Sequence, residues 1–488
     1  MVLLAEYSAQ INGIYIRTRG IIMEKQMNFK EIGAYSLGLF GFQAIVGFLN
    51  SYQAEFYHAQ MAADLAVVGI LILIVKIVSA VFDPVVGNMI ERKNSKNGKL
   101  KPFIAYSIIP LLVMTVVLFI KVPFKGVALY AYIFVTFLLW SMAMTLGDVP
   151  SQGIASVLTP NPEERTNVIS IANTLKQIGF SAAAVIVPVV CMIIPGGSKV
   201  FGIEEGAKDD PISSSEYLVT AIVVGVLGCL LFSLIYFFNK ERVPYTAEKM
   251  SFKEMFAALK ANKPLMLVII SYFLGAGRQM AMAIQVQASN VLLGSENYVI
   301  ALGITTAIGS MISMAITPML IKKMGEKNTF IAMSVYGFVI SMIAFLVYVF
   351  ITPNMIVMLV MLFLTGLQFG AVTLMPMIMT ADCVDNYEYE TGRRVEGPAF
   401  SILTLTIKVC LAIGAALGLI LVQVSGYDAA ASVESIAQST KNIVYFAYVG
   451  MPGIFSLLSA IPMFKYDIVG EKKAKITAEL QARREAKQ

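Results

Sequence analysis

Histidine and tryptophan occur once each in the 488 residues, and cysteine four times. The thiols, Cys191, Cys229, Cys383 and Cys410, show no paired spacing, so neither a disulfide frame nor a zinc site is implied. His58, just past the first apolar run, reads as a polar helix-end residue rather than a metal ligand or proton shuttle. Charge is scarce as well: Asp, Glu, Lys and Arg make up 14% of the chain. No G-x-x-x-x-G-K-[ST] or dinucleotide fingerprint occurs, which removes nucleotide hydrolysis as an energy source. No DDxxD-type motif or nucleophile cluster speaks for a membrane-embedded enzyme. The opening MVLLAEYSAQINGIYIRTRGIIMEKQ lacks an apolar core followed by a small-residue cleavage site, so no signal peptide is read. Met23 opens MEKQMNFKE like a start of its own, and residues 1–22 are expected to be dispensable.

Apolar residues fill the space that charge leaves. They form 57% of the chain, and the mean hydropathy is +0.75, far above that of soluble proteins of this length. Runs of about 20 apolar residues, the length that crosses a bilayer as a helix, fall near 31–56, 65–90, 103–121, 127–158, 167–194, 215–239, 265–290, 297–321, 328–351, 354–380, 398–424 and 441–464. The fold expected is an all-α polytopic membrane protein of twelve transmembrane helices, because lipid admits only helices or closed barrels and these runs are too long for barrel strands. The polar stretch NKERVPYTAEKMSFKEMFAALKANKP divides the runs six and six. The expected organisation is a tail (1–30), a six-helix bundle (31–240), a linker (241–264), a second six-helix bundle (265–465) and a basic tail (466–488). With both termini inside, about 28 of the 37 Lys and Arg residues fall in the tails and inner loops and about 5 in the outer ones. That asymmetry places both termini in the cytoplasm and makes the net charge of +6 a topology signal, not a nucleic-acid footprint. The tail EKKAKITAELQARREAKQ reads as a basic helix lying in solvent or against headgroups.

Four basic residues, Lys76, Lys176, Arg278 and Lys408, lie inside spans instead. Charges at membrane depth are expensive and usually face a cavity. In the second span Lys76, Ser79 and Asp83 share one helix face, followed by Pro84, which leaves a carbonyl one turn back without its donor. In the fourth, Ser141, Thr145 and Asp148 share another. Asp83 and Asp148 could together offer oxygens to a transient sodium ion, or one of them could carry a proton; no resident metal is expected. Further stripes are Ser170, Asn173 and Gln177 in the fifth span, and Ser401, Thr404 and Lys408 in the eleventh. The seventh is broken by Arg278, Gln279, Gln285 and Gln287, and the first carries Gln43, Asn50, Gln53 and Glu55. Helices from both halves thus bring hydrogen-bonding groups to membrane depth, as a central site for a polar solute requires.

The segments FDPVVG and GKLKPFI, GDVPSQGI and EERTN, and ADCVDNYEYETGRRVEG followed by SILTLTIK and VSGYD resemble the glycoside–pentoside–hexuronide:cation symporter family, of which melibiose permease is the best-known member. The resemblance runs from about residue 30 to about residue 465 and implies the major facilitator fold, in which two six-helix bundles rock about a central site. It implies cation coupling through Asp83, Thr145 and Asp148, with Ser79 standing where the family has a second acid, and it puts Lys408 close to the cation and sugar sites. Gln43, Gln152 and Asn173 stand where family members carry an acid, a tryptophan and an arginine that bind sugar. With Asp148, Arg278 and Lys408 they are the expected substrate-binding set. Gating or structural roles are implied for Lys76, Pro84, Gly87, Arg92, Gly98, Lys99, Arg165 and Asp385.

The activity expected is cation-coupled symport of a glycoside, pentoside or hexuronide-like sugar at the cell membrane, by a chain that functions as a monomer, with no cofactor beyond co-transported H+ or Na+. The departures at Gln43, Gln152 and Asn173 speak against a melibiose-type galactoside. The alternatives are a carrier of a lipid or other non-sugar solute, and a sensor or binding protein that has lost coupling.

Overall fold

The computed structural model describes residues 27–93, 98–159, 162–194, 212–242, 260–294, 298–351, 354–392, 396–428 and 435–485. The expectations for residues 1–22 and for most of the 241–264 linker lie outside them.

Six helices form the first half: α1 (Phe29–Met61), α2 (Leu65–Arg92), α3 (Lys101–Leu118), α4 (Val127–Gly153), α5 (Pro162–Ile193) and α6 (Ser214–Phe238). The second half opens with α7, a broken run from Lys263–Leu274 through short turns at Ala276–Gln279 and Met280–Ala283 to Gln285–Leu293. Val299–Phe350 follows, 52 residues that turn at Gly325 (φ 77°, ψ 165°) into α8 before it and α9 after it. Then come α10 (Met355–Thr391), α11 (Glu396–Val424) and α12, which runs from Gln438–Tyr445 through a π-helical turn at Phe446–Gly450 to Met451–Ala460. A last helix, α13 (Gly470–Glu485), follows the spans.

Among the described residues nine helices are long and apolar enough to cross a membrane, or ten with the bent first part of α7 taken as one span. Val299–Phe350 holds two crossings, and α5, 32 residues long but interrupted by polar groups, occupies the remaining position. Counted so, the helices are consistent with the twelve crossings expected. Exposed apolar side chains such as Ile109, Leu230, Met311 and Val360 lie on helices from both halves, as surfaces meeting acyl chains rather than water require. Inside the first half, aromatic pairs such as Phe48 with Phe119 (centroids 4.5 Å apart) and Phe42 with Phe232 (4.7 Å) fill the core.

The helix ends that carry the basic loops form one face, where each half is tied internally by polar bonds. In the first half, Gly98 adopts φ 93°, which turns the backbone so that the N–H groups of Lys99, Leu100 and Lys101 all donate to the Glu241 carboxylate at 2.9 Å. A side chain at Gly98 would collide with that carboxylate. This is the work done by the GKLKP motif: an acid from beyond α6 caps the start of α3. Next to it Arg242 grips Glu31 of α1 through both carboxylate oxygens (2.9 and 2.8 Å), and Asn239 donates to the Glu31 carbonyl (2.9 Å).

In the second half, the basic tail differs from its reading as a free helix. Ile476 and Leu480 of α13 are buried against the bundle, and Lys473 donates to Glu326 (2.6 Å) and Asp382 (2.7 Å). Burial of the Lys473 ammonium opposes its charge, but the two carboxylates outweigh it and hold the group above the ordinary lysine range. Its contribution to docking is therefore fully present below about pH 10.4 and is lost only as pH rises through the elevated value. Limited proteolysis of the tail should accordingly be slow and constant from pH 6 to 9, whereas Lys473→Met should expose the tail to protease throughout that range.

Candidate functional site

Three helices from the two halves meet at a charged cluster in the middle of the protein. On α2, Lys76, Ser79 and Asp83 lie along one face. On α4, Thr145, Asp148 and Gln152 do the same. From the other half, the Lys408 ammonium of α11 donates to Asp83 Oδ2, closing an ion pair across the two bundles. Asp83 Oδ1 and the Thr145 hydroxyl oxygen are buried and lack a hydrogen-bond partner, although the two side chains lie within reach of each other. Asp148 is buried beside this pair, accepts from Gln152 Nε2 (2.9 Å), and acts electrostatically on both Asp83 and Lys76. Lys76 in turn sits 5.8 Å from the centre of the Phe137 ring and within the field of Lys408. Ser79 is buried and brings no charge.

The cluster thus balances two carboxylates with two ammonium groups, all at membrane depth. A cation arriving at Asp83 finds two unpaired oxygens already aimed inward, but it must compete with Lys408. No group of three or more Asp, Glu, His or Cys side chains that could hold a metal ion occurs among the described residues. The arrangement suits a transient monovalent ion or a proton.

The other expected site residues are dispersed. Gln43 of α1 is half-buried with its carbonyl oxygen unpartnered. Asn173 of α5 and Gln152 are exposed. Arg278 is placed differently from its reading as an inward-pointing substrate group: it is buried within the second half, where Nη1 donates to Ser459 Oγ (2.7 Å) and the guanidinium lies 5.6 Å from the Tyr272 ring centre. The break in α7 explains this, because the short turn at Ala276–Gln279 swings Arg278 toward α12. Gly98 and Lys99 belong to the Glu241 cap described above, Arg92 is exposed at the end of α2, Gly87 is a helical position with open space around it, and Asp385 is half-buried near Asp382. Pro84 and Arg165 lie in α2 and α5, and their side chains lie outside the described residues.

At the face opposite the basic loops the halves are packed together. Gly69 of α2 approaches Ala416 and Leu419 of α11 so closely that a side chain there would meet the Ala416 backbone at 3.1 Å, and Gln423 Oε1 accepts from the Leu65 N–H at 2.8 Å. Glu55 of α1 is also tied to the second half there, by Tyr427 Oη (2.7 Å) and Asn290 Nδ2 (3.2 Å). Hydrogen bonds between the halves thus lie at this face and, at mid-depth, in the Asp83–Lys408 pair. In the sequence Glu55 stands only as one polar residue of the first span; the signal that marks it is a carboxylate at the end of an apolar run with no Lys or Arg on its helix face.

A family model described as MFS/sugar transport protein matches residues 34–470. The chain belongs to that family. It is 24% identical over 478 residues to the glucuronide carrier protein homolog of Escherichia coli K12, covering 96% of this chain and 98% of that protein. It is 25% identical over 476 residues to the isoprimeverose transporter of Lactiplantibacillus pentosus, covering 94% and 93%. The solved structure of the nucleoside transporter NupG superposes with a TM-score of 0.63 at 15% identity, covering 90% of this chain and all of that one, which establishes the shared fold. As a member of the MFS/sugar transport family this is a multi-pass membrane transporter and not an enzyme.

The Asp83–Lys408 pair gives a stability test. Asp83 and Lys408 are about one-quarter exposed (25% and 26%), so the penalty for stranding either charge is less than for a fully buried pair. Asp83→Asn and Lys408→Gln are each expected to destabilise by about 1–3 kcal/mol, and the double substitution by less than the two together. Thermal unfolding of the four proteins in detergent, read as a double-mutant cycle, measures this.

Proposed function

We propose that the protein is a secondary active symporter that couples H+ or Na+ entry to uptake of a glycoside, pentoside or hexuronide-like sugar by alternating access. The observation that carries this reading is the Asp83–Lys408 pair between the halves, flanked by the unpaired oxygens of Asp83 and Thr145. In the paired state Lys408 occupies the place of the co-transported ion. A proton or Na+ reaching Asp83 neutralises the carboxylate, frees the ammonium for a substrate oxygen and unties the halves at mid-depth. One event then does three things, and sugar binding becomes dependent on the ion.

The basic face is the cytoplasmic one in this reading, supported by the clustering of about 28 Lys and Arg residues in its loops and tails. The packed face, closed in the conformation described, then looks outward. The relatives named for glucuronide and isoprimeverose support a sugar-derived solute. Gln43, Gln152, Asn173 and Asp148 are the side chains assigned to sugar hydroxyls, with Lys408 joining them once released. Both halves of the site come from one chain, so a monomer is sufficient. A proton fits better than Na+, because Ser79 contributes no charge and two unpaired oxygens fall short of an ion cage. Inward movement of one positive charge gains about 2.3 kcal/mol per 100 mV, enough for several tens-fold accumulation.

Uptake of a panel of labelled sugars into proteoliposomes under imposed H+ or Na+ gradients tests the reading. Asp83→Asn should reduce uphill accumulation from tens-fold to near equilibrium while leaving sugar exchange partly intact; undiminished accumulation would sink the assignment. Collapse by a protonophore, with indifference to sodium, is the expected ion dependence.

A further inference from the structure

Glu55 is a further carboxylate within the bundle, and the coupling site does not use it. It lies in the last two turns of α1 with no exposure at all. Its Oε1 accepts from Tyr427 Oη and Asn290 Nδ2, both of the other half. Its Oε2 is buried without a partner. Beside it lies Gln287, one turn before Asn290 on the final segment of α7, also wholly buried and with both its amide oxygen and nitrogen unpartnered. The ionisable groups that face Glu55 are His58 from its own helix and Tyr427 from beyond α11, and α7 presents only the neutral amides of Gln287 and Asn290. The His58 ring stacks on Tyr427 with centroids 5.3 Å apart, and its Nδ1–H donates to the Ala63 carbonyl (2.9 Å). No Lys or Arg faces the carboxylate among the described residues.

An ionised carboxylate sealed between neutral amides, with no Lys or Arg beside it, is an expensive way to close an interface even with the Gln287 amide within hydrogen-bonding reach; in this arrangement its Oε2 and the Gln287 amide oxygen and nitrogen all stay unpartnered. One proton resolves most of this. A hydroxyl on Oε2 can donate to Gln287 Oε1, so two of the three stranded atoms find partners while Oε1 keeps both of its donors.

We propose that Glu55 is a proton-binding site in its own right, loaded when this face closes and emptied when it opens. In the closed protein it is a neutral acid latched to Tyr427, Asn290 and Gln287; with the face parted and wetted it is an ordinary carboxylate. Closure then takes up one proton from the water on that side, and opening returns it to the same side, so this proton is not the one transported. Acidity at that face favours the closed form, by up to tenfold in the closed-to-open ratio per pH unit above the ordinary glutamate range of about 4.3. That the face looks outward rests on the topology proposed above; the proton linkage does not.

The test reads conformation rather than transport, and so stands apart from the symport reading. Spin labels at Ala59→Cys on the first half and Ser439→Cys on the second report the opening in purified full-length protein in nanodiscs, without sugar. All measurements carry Asp83→Asn so that the coupling site does not titrate. The closed population is expected to grow between pH 8 and pH 5, Glu55→Gln to remain closed at both with no pH dependence, and His58→Gln to keep the dependence. Tyr427→Phe, which removes a donor from the ionised form, should move the midpoint to higher pH, and it serves as the test where Glu55→Gln does not fold. A pH response that survives Glu55→Gln, one that vanishes with His58→Gln, an unmoved midpoint in Tyr427→Phe, or no response in the parent protein would each overturn the proposal.

Discussion

One ion pair at membrane depth organises the protein. Lys408 and Asp83 come from different halves, and neither has an inexpensive alternative to the other: in lipid or a narrow cleft, a lone ammonium or carboxylate carries a desolvation penalty that a single well-placed counter-charge removes. The pair is also incomplete. One Asp83 oxygen and the Thr145 hydroxyl stay unsatisfied beside it, so on the symport reading proposed above the contact joins the halves and still leaves oxygens for an incoming cation. A fully satisfied bridge would be a poor switch, and a neutral one would have nothing for a cation to exchange with.

Much of this was legible as pattern. The apolar runs and the polar stripes of α2, α4 and α11 follow from helical spacing and the cost of charge in lipid, and the structure has helices over these stretches. Partners were less legible. Spacing puts Lys408 on a face but does not say that its ammonium ends on Asp83. Arg278 shows the limit from the other direction: its charge in an apolar run is correctly marked as unusual, but the break in α7 that turns it toward Ser459 depends on packing with α12. The basic tail was misleading for a related reason. Its lysines dominate the composition, whereas Ile476 and Leu480, spaced one turn apart, decide that it docks.

The two ends of the molecule are held by different chemistry. At the packed face the halves meet through close backbone approach and hydrogen bonds to a buried acid, contacts that can be remade only when the whole face separates. At the basic face each half is stitched to itself, Glu241 and Arg242 in one and Lys473 in the other. A carrier that alternates needs this asymmetry: contacts between halves that can be lost, and contacts within halves that cannot.

The Glu241 carboxylate carries a mechanical consequence. Three consecutive N–H groups at the start of α3 converge on it from a turn that only a glycine at position 98 can make, and Arg242, the next residue, holds α1. The start of α3, the foot of α1 and the exit of α6 are therefore gathered into one knot. These three helix ends therefore move as one piece, as levers clamped in a common mounting turn together or not at all.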